Sequence, residues 1–214
     1  MKTLLYKQLR LVCHPMTPVF CLFGVMILIP NYPYSVTFFY VTLGLFFTFL
    51  NMREQKDIYY SAILPIRKRD TVKAALLFAV LVEVLSVIIT ALFCVLSAQL
   101  QPDKDNAVGM DGNLMLLGAG FLIYGVFNLV FFTALYRSGY KVGVAYVKAN
   151  LAMWPTMLAA EAVVHFPGLA WLNRVDAQAE LRQLPIFLGG VVLFATLTLV
   201  AYRRSAALYE KVDL

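Results

Sequence analysis

Charged side chains are scarce in this chain. Asp, Glu, Lys and Arg make up 14% of its 214 residues, while 61% are hydrophobic. A soluble globular domain carries about 25% charged residues. The shortage excludes an ordinary soluble domain. With a mean hydropathy of +0.76, it indicates a polytopic membrane protein. Acidic residues are rarer than basic ones, 12 against 18, for a net charge of +6. The placement of the basic residues, given below, assigns that excess to membrane topology, not to nucleic acid. Cysteine is also rare. Cys13, Cys21 and Cys94 are odd in number and lack metal-type spacing, so they read as packing residues.

Recognisable enzymatic motifs are missing too. The sequence has no Walker A pattern, no glycine-rich loop between strand and helix, no Gly-x-Ser-x-Gly, no His-Glu-x-x-His and no Cys-x-x-Cys. It therefore carries no visible site of its own for nucleotide hydrolysis, and no metal or cofactor is expected on it. The alternation of a membrane barrel is absent, so lipid-facing segments must be helices. Lys2, Lys7 and Arg10 before an apolar run resemble the start of a signal peptide. Pro30-Asn31-Tyr32-Pro33 follows where a small-x-small cleavage site would stand, so the run reads as a retained span.

What is present is six apolar segments, at 16–30, 34–52, 72–100, 114–136, 142–165 and 184–202. A hydrocarbon core of about 30 Å takes about 20 helical residues. The first segment is short, and Pro15 and Pro18 crowd its start. Lys and Arg alternate sharply between the connections: fifteen fall in the N-terminus, the second and fourth loops and the C-terminal tail, against three in the other loops. This asymmetry predicts six spans within one transmembrane domain, with both termini cytoplasmic.

Leu4, Leu5, Leu9 and Val12 recur at helical spacing, with Lys2, Lys7 and Arg10 elsewhere on the wheel. Residues 1–15 suit an amphipathic helix on the inner membrane surface, or a plain extension of the first span. Residues 101–113, with Asp103, Asp105, Asp111 and two glycines, read as a flexible solvated link. In 166–183, Trp171, Leu172, Val175 and Ala179 lie near helical spacing, which suggests a short amphipathic helix at the outer leaflet.

Polar residues inside spans are few. Glu83 lies ten residues beyond Lys73, about 15 Å up a helix and so near mid-membrane. A charge there costs at least about 2.5–3.5 kcal/mol. Glu83 must face protein or water or be protonated, as part of a pathway or gate, or as a neutral group hydrogen-bonded to a neighbouring helix. Glu161 and His165, at i and i+4, share a face near the outer end of the fifth span and form a polar pair there or a plain hydrogen bond. Asn128 and Asn150 are candidates to bridge helices, and Pro155 should kink its helix. The second span is rich in aromatics, including Phe39 and Phe46, broken by Thr37, Gly44 and Thr48. That pattern is either packing bulk or an apolar wall for an amphipathic substrate.

The densest feature is the loop 53–71, REQKDIYYSAILPIRKRDT. Glu54 and Asp57 favour a helix start through its dipole, Pro65 stops the segment, and Asp70 is placed to cap the next span. A short helix held between two spans transmits a push as a rigid body. The arrangement resembles the permease subunits of ABC-2-type exporters: six spans, both ends inside, a basic N-terminal helix, and a Leu64-Pro65 step followed by Arg67, Lys68 and Arg69. The tail from Ser205 is also similar to that of small bacterial members. The resemblance makes this loop a cytosolic coupling helix, with Glu54, Asp57, Ile58, Tyr59, Tyr60, Ser61, Leu64, Pro65 and Arg67 meeting a separate ABC ATPase, in two copies, that binds the ATP and Mg. It also implies a second permease, as a homodimer or a sister pair, in the plasma membrane. Its second and fifth spans line the pathway. Phe39, Phe46 and Thr48, with Trp154 and Glu161, are therefore pathway candidates, and Glu83 joins them on the charge argument above. The first and fifth spans would meet at the dimer seam.

Small permeases of this kind include exporters of lantibiotics, bacitracin-like drugs and phenol-soluble modulins. Short outer loops and apolar span faces favour an amphipathic peptide or toxin, ahead of hydrophobic drug or lipid efflux. The competing classes are an intramembrane enzyme using Glu83, Glu161 or His165, and a non-transporting immunity or sensory protein. The enzyme needs its polar groups at one depth, whereas these fall about half a membrane apart.

Overall fold

The computed structural model describes residues 2–63, 65–101 and 106–211, and every regular element among them is helical. Helix α1 (Lys2–Lys7) runs on as a π turn (Gln8–Val12). Helix α2 (Met16–Cys21) runs on as a 3-10 helix (Leu22–Leu28). Then follow α3 (Val36–Glu54), α4 (Asp57–Ile63), α5 (Lys68–Leu100), α6 (Leu114–Arg137), α7 (Val142–Val163), a 3-10 turn (Ala170–Asn173) and α8 (Ala177–Glu210).

Helices α3, α5, α6 and α8 are each long and apolar enough to cross a membrane. The segments 3–12 and 16–28 meet at 93°, a bent pair that counts as at most one further span. Its 3-10 half rises about 2.0 Å per residue against about 1.5 Å in an α-helix, so the short first segment reaches further than its length suggests. Helix α7 is 22 residues long, but Lys148, Asn150 and Glu161 dilute its hydropathy.

Helix α6 is the central post, with α7, α8 and α5 packed around it. Its core side chains Leu116, Ile123, Phe127, Phe131 and Leu135 are fully buried. Asn113 caps its start by accepting from the Leu116 N–H at 3.0 Å. Two successive residues with positive φ, Gly139 and Tyr140, end it, and the Tyr140 N–H returns to the Leu135 carbonyl at 3.0 Å. At the other end of the bundle α8 and α6 touch backbone to backbone. A Cβ on Gly190 would overlap the Gly118 carbonyl.

Several expectations are corrected. Helix α5 begins at Lys68, not at 72. Arg67 occupies its N-cap with extended backbone and no side-chain cap, and Asp70 falls inside the first turn. The expected amphipathic helix in 166–183 does not form as one piece. The chain makes the 3-10 turn, and Asp176 then starts α8 by accepting from the Ala179 N–H at 2.8 Å. That bond, with Arg174 beside it, holds the Asp176 carboxyl below its usual range. Residues 106–113 are not a solvated link. Asn106 donates to the carbonyls of Tyr32 (2.9 Å) and Met110 (3.0 Å), Asp111 and Asn173 exchange two bonds of 2.8 Å, and Asn113 and Gln183 both reach the Leu172 carbonyl. Asp103 and Asp105 lie outside the described residues. Among the described residues Asn150 bridges no two helices; its amide donates to the Tyr146 carbonyl of its own helix at 2.9 Å.

Candidate functional site

The loop between α3 and α5 builds one compact feature. Helix α3 ends at Glu54, and Lys56 turns the chain in the left-handed region, with φ 54°. Helix α4 starts immediately after, and Pro65 lies beyond its last residue, Ile63. Asp57 and Ser61, at i and i+4, share a face, and both are buried. The Lys7 ammonium, from α1, sits over that face. It lies 2.7 and 2.9 Å from the two Asp57 carboxylate oxygens and 2.8 Å from the Ser61 hydroxyl. One cation thus fixes α4 against the N-terminal helix.

Three further side chains of α4 face outward. Tyr59 is 58% exposed, Tyr60 61% and Ile63 83%. These positions, i, i+1 and i+4, form one surface patch. Glu54, Pro65 and Arg67 flank it, all exposed. Leu64 and the side chain of Ile58, expected in the same set, lie outside the described residues. A short helix whose polar side is anchored inward and whose aromatic side meets solvent has the make-up of a docking surface.

The α1–α2 corner behind it is stapled to α3. The Asn51 amide donates to the Val12 carbonyl at 3.1 Å, the His14 N–H to the Thr48 hydroxyl at 3.1 Å, and the Thr17 hydroxyl to the Gly44 carbonyl at 2.8 Å. The hydroxyls of Thr17 and Thr48 are 2.7 Å apart. Thr48 is therefore buried in this corner.

The other pathway candidates fall in three places. Phe39 meets Trp154 at 5.4 Å between ring centroids, and Phe46 stacks on Tyr146 at 4.5 Å, so three of the six lie along the α3–α7 seam. Glu83, on α5, is fully buried. It accepts from the Asn128 amide at 2.8 Å, and the same amide nitrogen lies 3.3 Å from the Thr198 hydroxyl. This node joins α5, α6 and α8. Among the described residues, one oxygen of Glu83 and the amide oxygen of Asn128 have no hydrogen-bond partner. Glu161 lies at the end of α7, where it accepts from the Met110 N–H at 2.7 Å, while His165 is exposed. Among the described residues no three His, Cys, Asp or Glu side chains converge as metal ligands. Near the same end, a cavity of about 690 Å³ is lined by Tyr34, Cys94, Gln101, Asp111, Asn173 and Arg174.

The anchoring lysine is the site residue that sequence reasoning missed. Lys7 and Asp57 are fifty positions apart, and each also suits a surface helix, so no local pattern pairs them. Comparison with known proteins gives one match. A family model described as ABC-2 family transporter protein covers residues 3–210. No curated protein and no solved structure matches.

Proposed function

Since this chain belongs to the ABC-2 family of transporter proteins and is a multi-pass protein of the plasma membrane, we propose that it is the permease subunit of an ATP-driven exporter and that α4 is its coupling helix. The family implies a partnering ATPase subunit and is typically a non-catalytic membrane component. The observation that carries the assignment is the exposed Tyr59–Tyr60–Ile63 patch on a helix held from behind by Lys7. An aromatic patch on a rigid mount transfers displacement instead of absorbing it. Two copies of the ATPase, binding ATP and Mg, would drive two permeases, most simply a homodimer of this chain.

In this reading the right angle between α1 and α2 places α1 on the inner membrane surface. Helix α2 with its 3-10 extension is then the first of six spans, α7 is the fifth, and both termini are cytoplasmic. The aromatic α3–α7 seam is the wall past which cargo moves. Its lining is apolar and ring-rich, which favours an amphipathic peptide or toxin over a polar solute. Purification of the full chain from its native membrane tests the class, and an ABC ATPase should accompany it. Tyr59→Ala with Tyr60→Ala should leave the permease folded in the membrane while ATPase association falls by about tenfold, the loss expected from removing two exposed aromatic anchors. Undiminished association and transport in this double variant would overturn the role given to α4.

A further inference from the structure

A groove of about 720 Å³ runs between α6, α7 and α8, away from both the α4 patch and the α3–α7 seam. Its walls are Gly118, Leu122, Pro155, Ala159, Ile186 and Leu193, among others. The contact of Gly190 with Gly118 forms its floor. Gly189 opens onto the groove, and a Cβ there would meet nothing within 4 Å. The Thr156 hydroxyl, also on the lining, is satisfied by the Ala152 carbonyl of its own helix at 2.9 Å. The groove therefore makes no polar demand on an occupant.

Its depth in the bilayer follows from α8. Between Arg182 and Arg203 every residue is uncharged. Residues 183–202 rise about 30 Å at about 1.5 Å each, the thickness of the hydrocarbon core. The groove residues of α8, 186–193, therefore lie about 6–17 Å below the level of Arg182, within the acyl region of a single leaflet. Arg182, Ile186, Gly189 and Leu193 follow one another at intervals of four, three and four, so the exposed Arg182 heads the same stripe one turn above the groove. Glu180, two residues earlier, points about 200° around the helix from Arg182 and so does not share its stripe. The groove thus presents an apolar channel at acyl depth, topped by a guanidinium at phosphate depth, and guanidinium pairs with phosphate through parallel hydrogen bonds.

We propose that this groove is a phospholipid site: one acyl chain lies between α6, α7 and α8, and the lipid phosphate binds Arg182. The site requires only that the chain is a membrane protein, so it stands or falls separately from the coupling role of α4. The test uses the full chain in vesicles of phosphatidylcholine and phosphatidylglycerol that contain a phosphatidylglycerol with a photoreactive group midway along one acyl chain. After illumination, labelled peptides are mapped. Label should concentrate on residues 115–122, 155–163 and 186–193, above the level on the exposed face of α5. Gly189→Leu, which fills open space, should reduce the groove label to that background. Arg182→Gln, a surface change that leaves the groove intact, should reduce it for the same lipid. Label spread evenly over all lipid-facing helices, or unchanged in both variants, overturns the proposal. So does protection of the groove from label together with disulfide crosslinking of Gly189→Cys to a second copy, which would make the occupant another chain.

Discussion

A carboxyl group with no exposure to solvent stands in the middle of an apolar bundle, and its one described side-chain partner is an amide. Asn128 donates to Glu83 at 2.8 Å and reaches Thr198 at 3.3 Å. Leaving a buried polar group without its partner costs about 1–3 kcal/mol. Asn128→Ala should destabilise the bundle by that order, read as a lower midpoint of thermal unfolding in detergent. Glu83→Gln keeps an acceptor for the same amide and should be tolerated. If Glu83→Gln assembles normally but stops transport, the carboxyl has a function beyond packing. If it is neutral in both respects, Glu83 is a structural residue. The burial of Glu83 against protein and the bridging role of Asn128 are both legible in the sequence, because ionisable and amide groups inside a span must find protein partners. Their pairing with each other and with Thr198 is not legible. It depends on the rotation of three helices about their axes, which the all-round apolar α6 does not encode.

At the level of elements, the α1–α4 link decides whether the outward patch is rigid. Lys7 and Asp57 are largely shielded, with side chains 13% and 11% exposed, so their attraction is only partly screened. Hydrogen bonds to charged groups contribute about 1.5–3 kcal/mol. Lys7→Met should loosen α4 by about that amount and speed proteolysis within residues 53–67, while the spans stay intact. Exchanging the two as Lys7→Asp with Asp57→Lys should restore part of the protection. Equal protease resistance in wild type and Lys7→Met would show that α4 is held by other contacts. The existence of α4 was legible from Asp57 and Pro65, which have local meanings for a helix start and stop, whereas Glu54, expected at the same start, is the last residue of α3. The start of α5 was misjudged, since Asp70 has the chemistry of a cap but Arg67 already stands in extended backbone three residues earlier. Asn106, Asp111 and Asn113 read as part of a solvated link for a similar reason, although they are knotted to Asn173 and Gln183 of the next outer connection. Asn, Asp and Gly mark turns locally, and nothing local reveals that those turns are bonded to one another across sixty residues.

For the whole molecule the open question is how six hydrophobic segments sit in one bilayer when four single helices qualify outright and a bent pair adds at most one. The charge pattern and the fold bear on it from different sides. Lys and Arg cluster at the α1, α3–α5 and α6–α7 connections and at the end of α8, the pattern expected if those regions are cytoplasmic, as proposed above. The proposed six crossings would match that pattern, with alternate connections nearly free of cations. The two doubtful segments are doubtful for different physical reasons, length for α2 and polarity for α7. Packing compensates in each. The 3-10 half of the first segment lies so close to α5 that a Cβ on Gly24 would come within 3.0 Å of the Thr90 backbone, and Ala145, Ala149 and Met153 of α7 are buried. Single cysteines at Thr3, Tyr59, Val108 and Arg204, in a background lacking Cys13, Cys21 and Cys94, decide the matter with a membrane-impermeant thiol reagent on intact cells, Thr3 reporting on α2 and Arg204 on α7. With six spans, Val108→Cys is labelled from outside, while Tyr59→Cys and Arg204→Cys react only after permeabilisation. If α2 does not cross, α4 keeps its side but the positively charged N-terminus lies opposite it. Lys7 and Asp57 would then stand on different faces of the bilayer, so a cysteine at Thr3 labelled from outside would refute both the topology and the α1–α4 bridge.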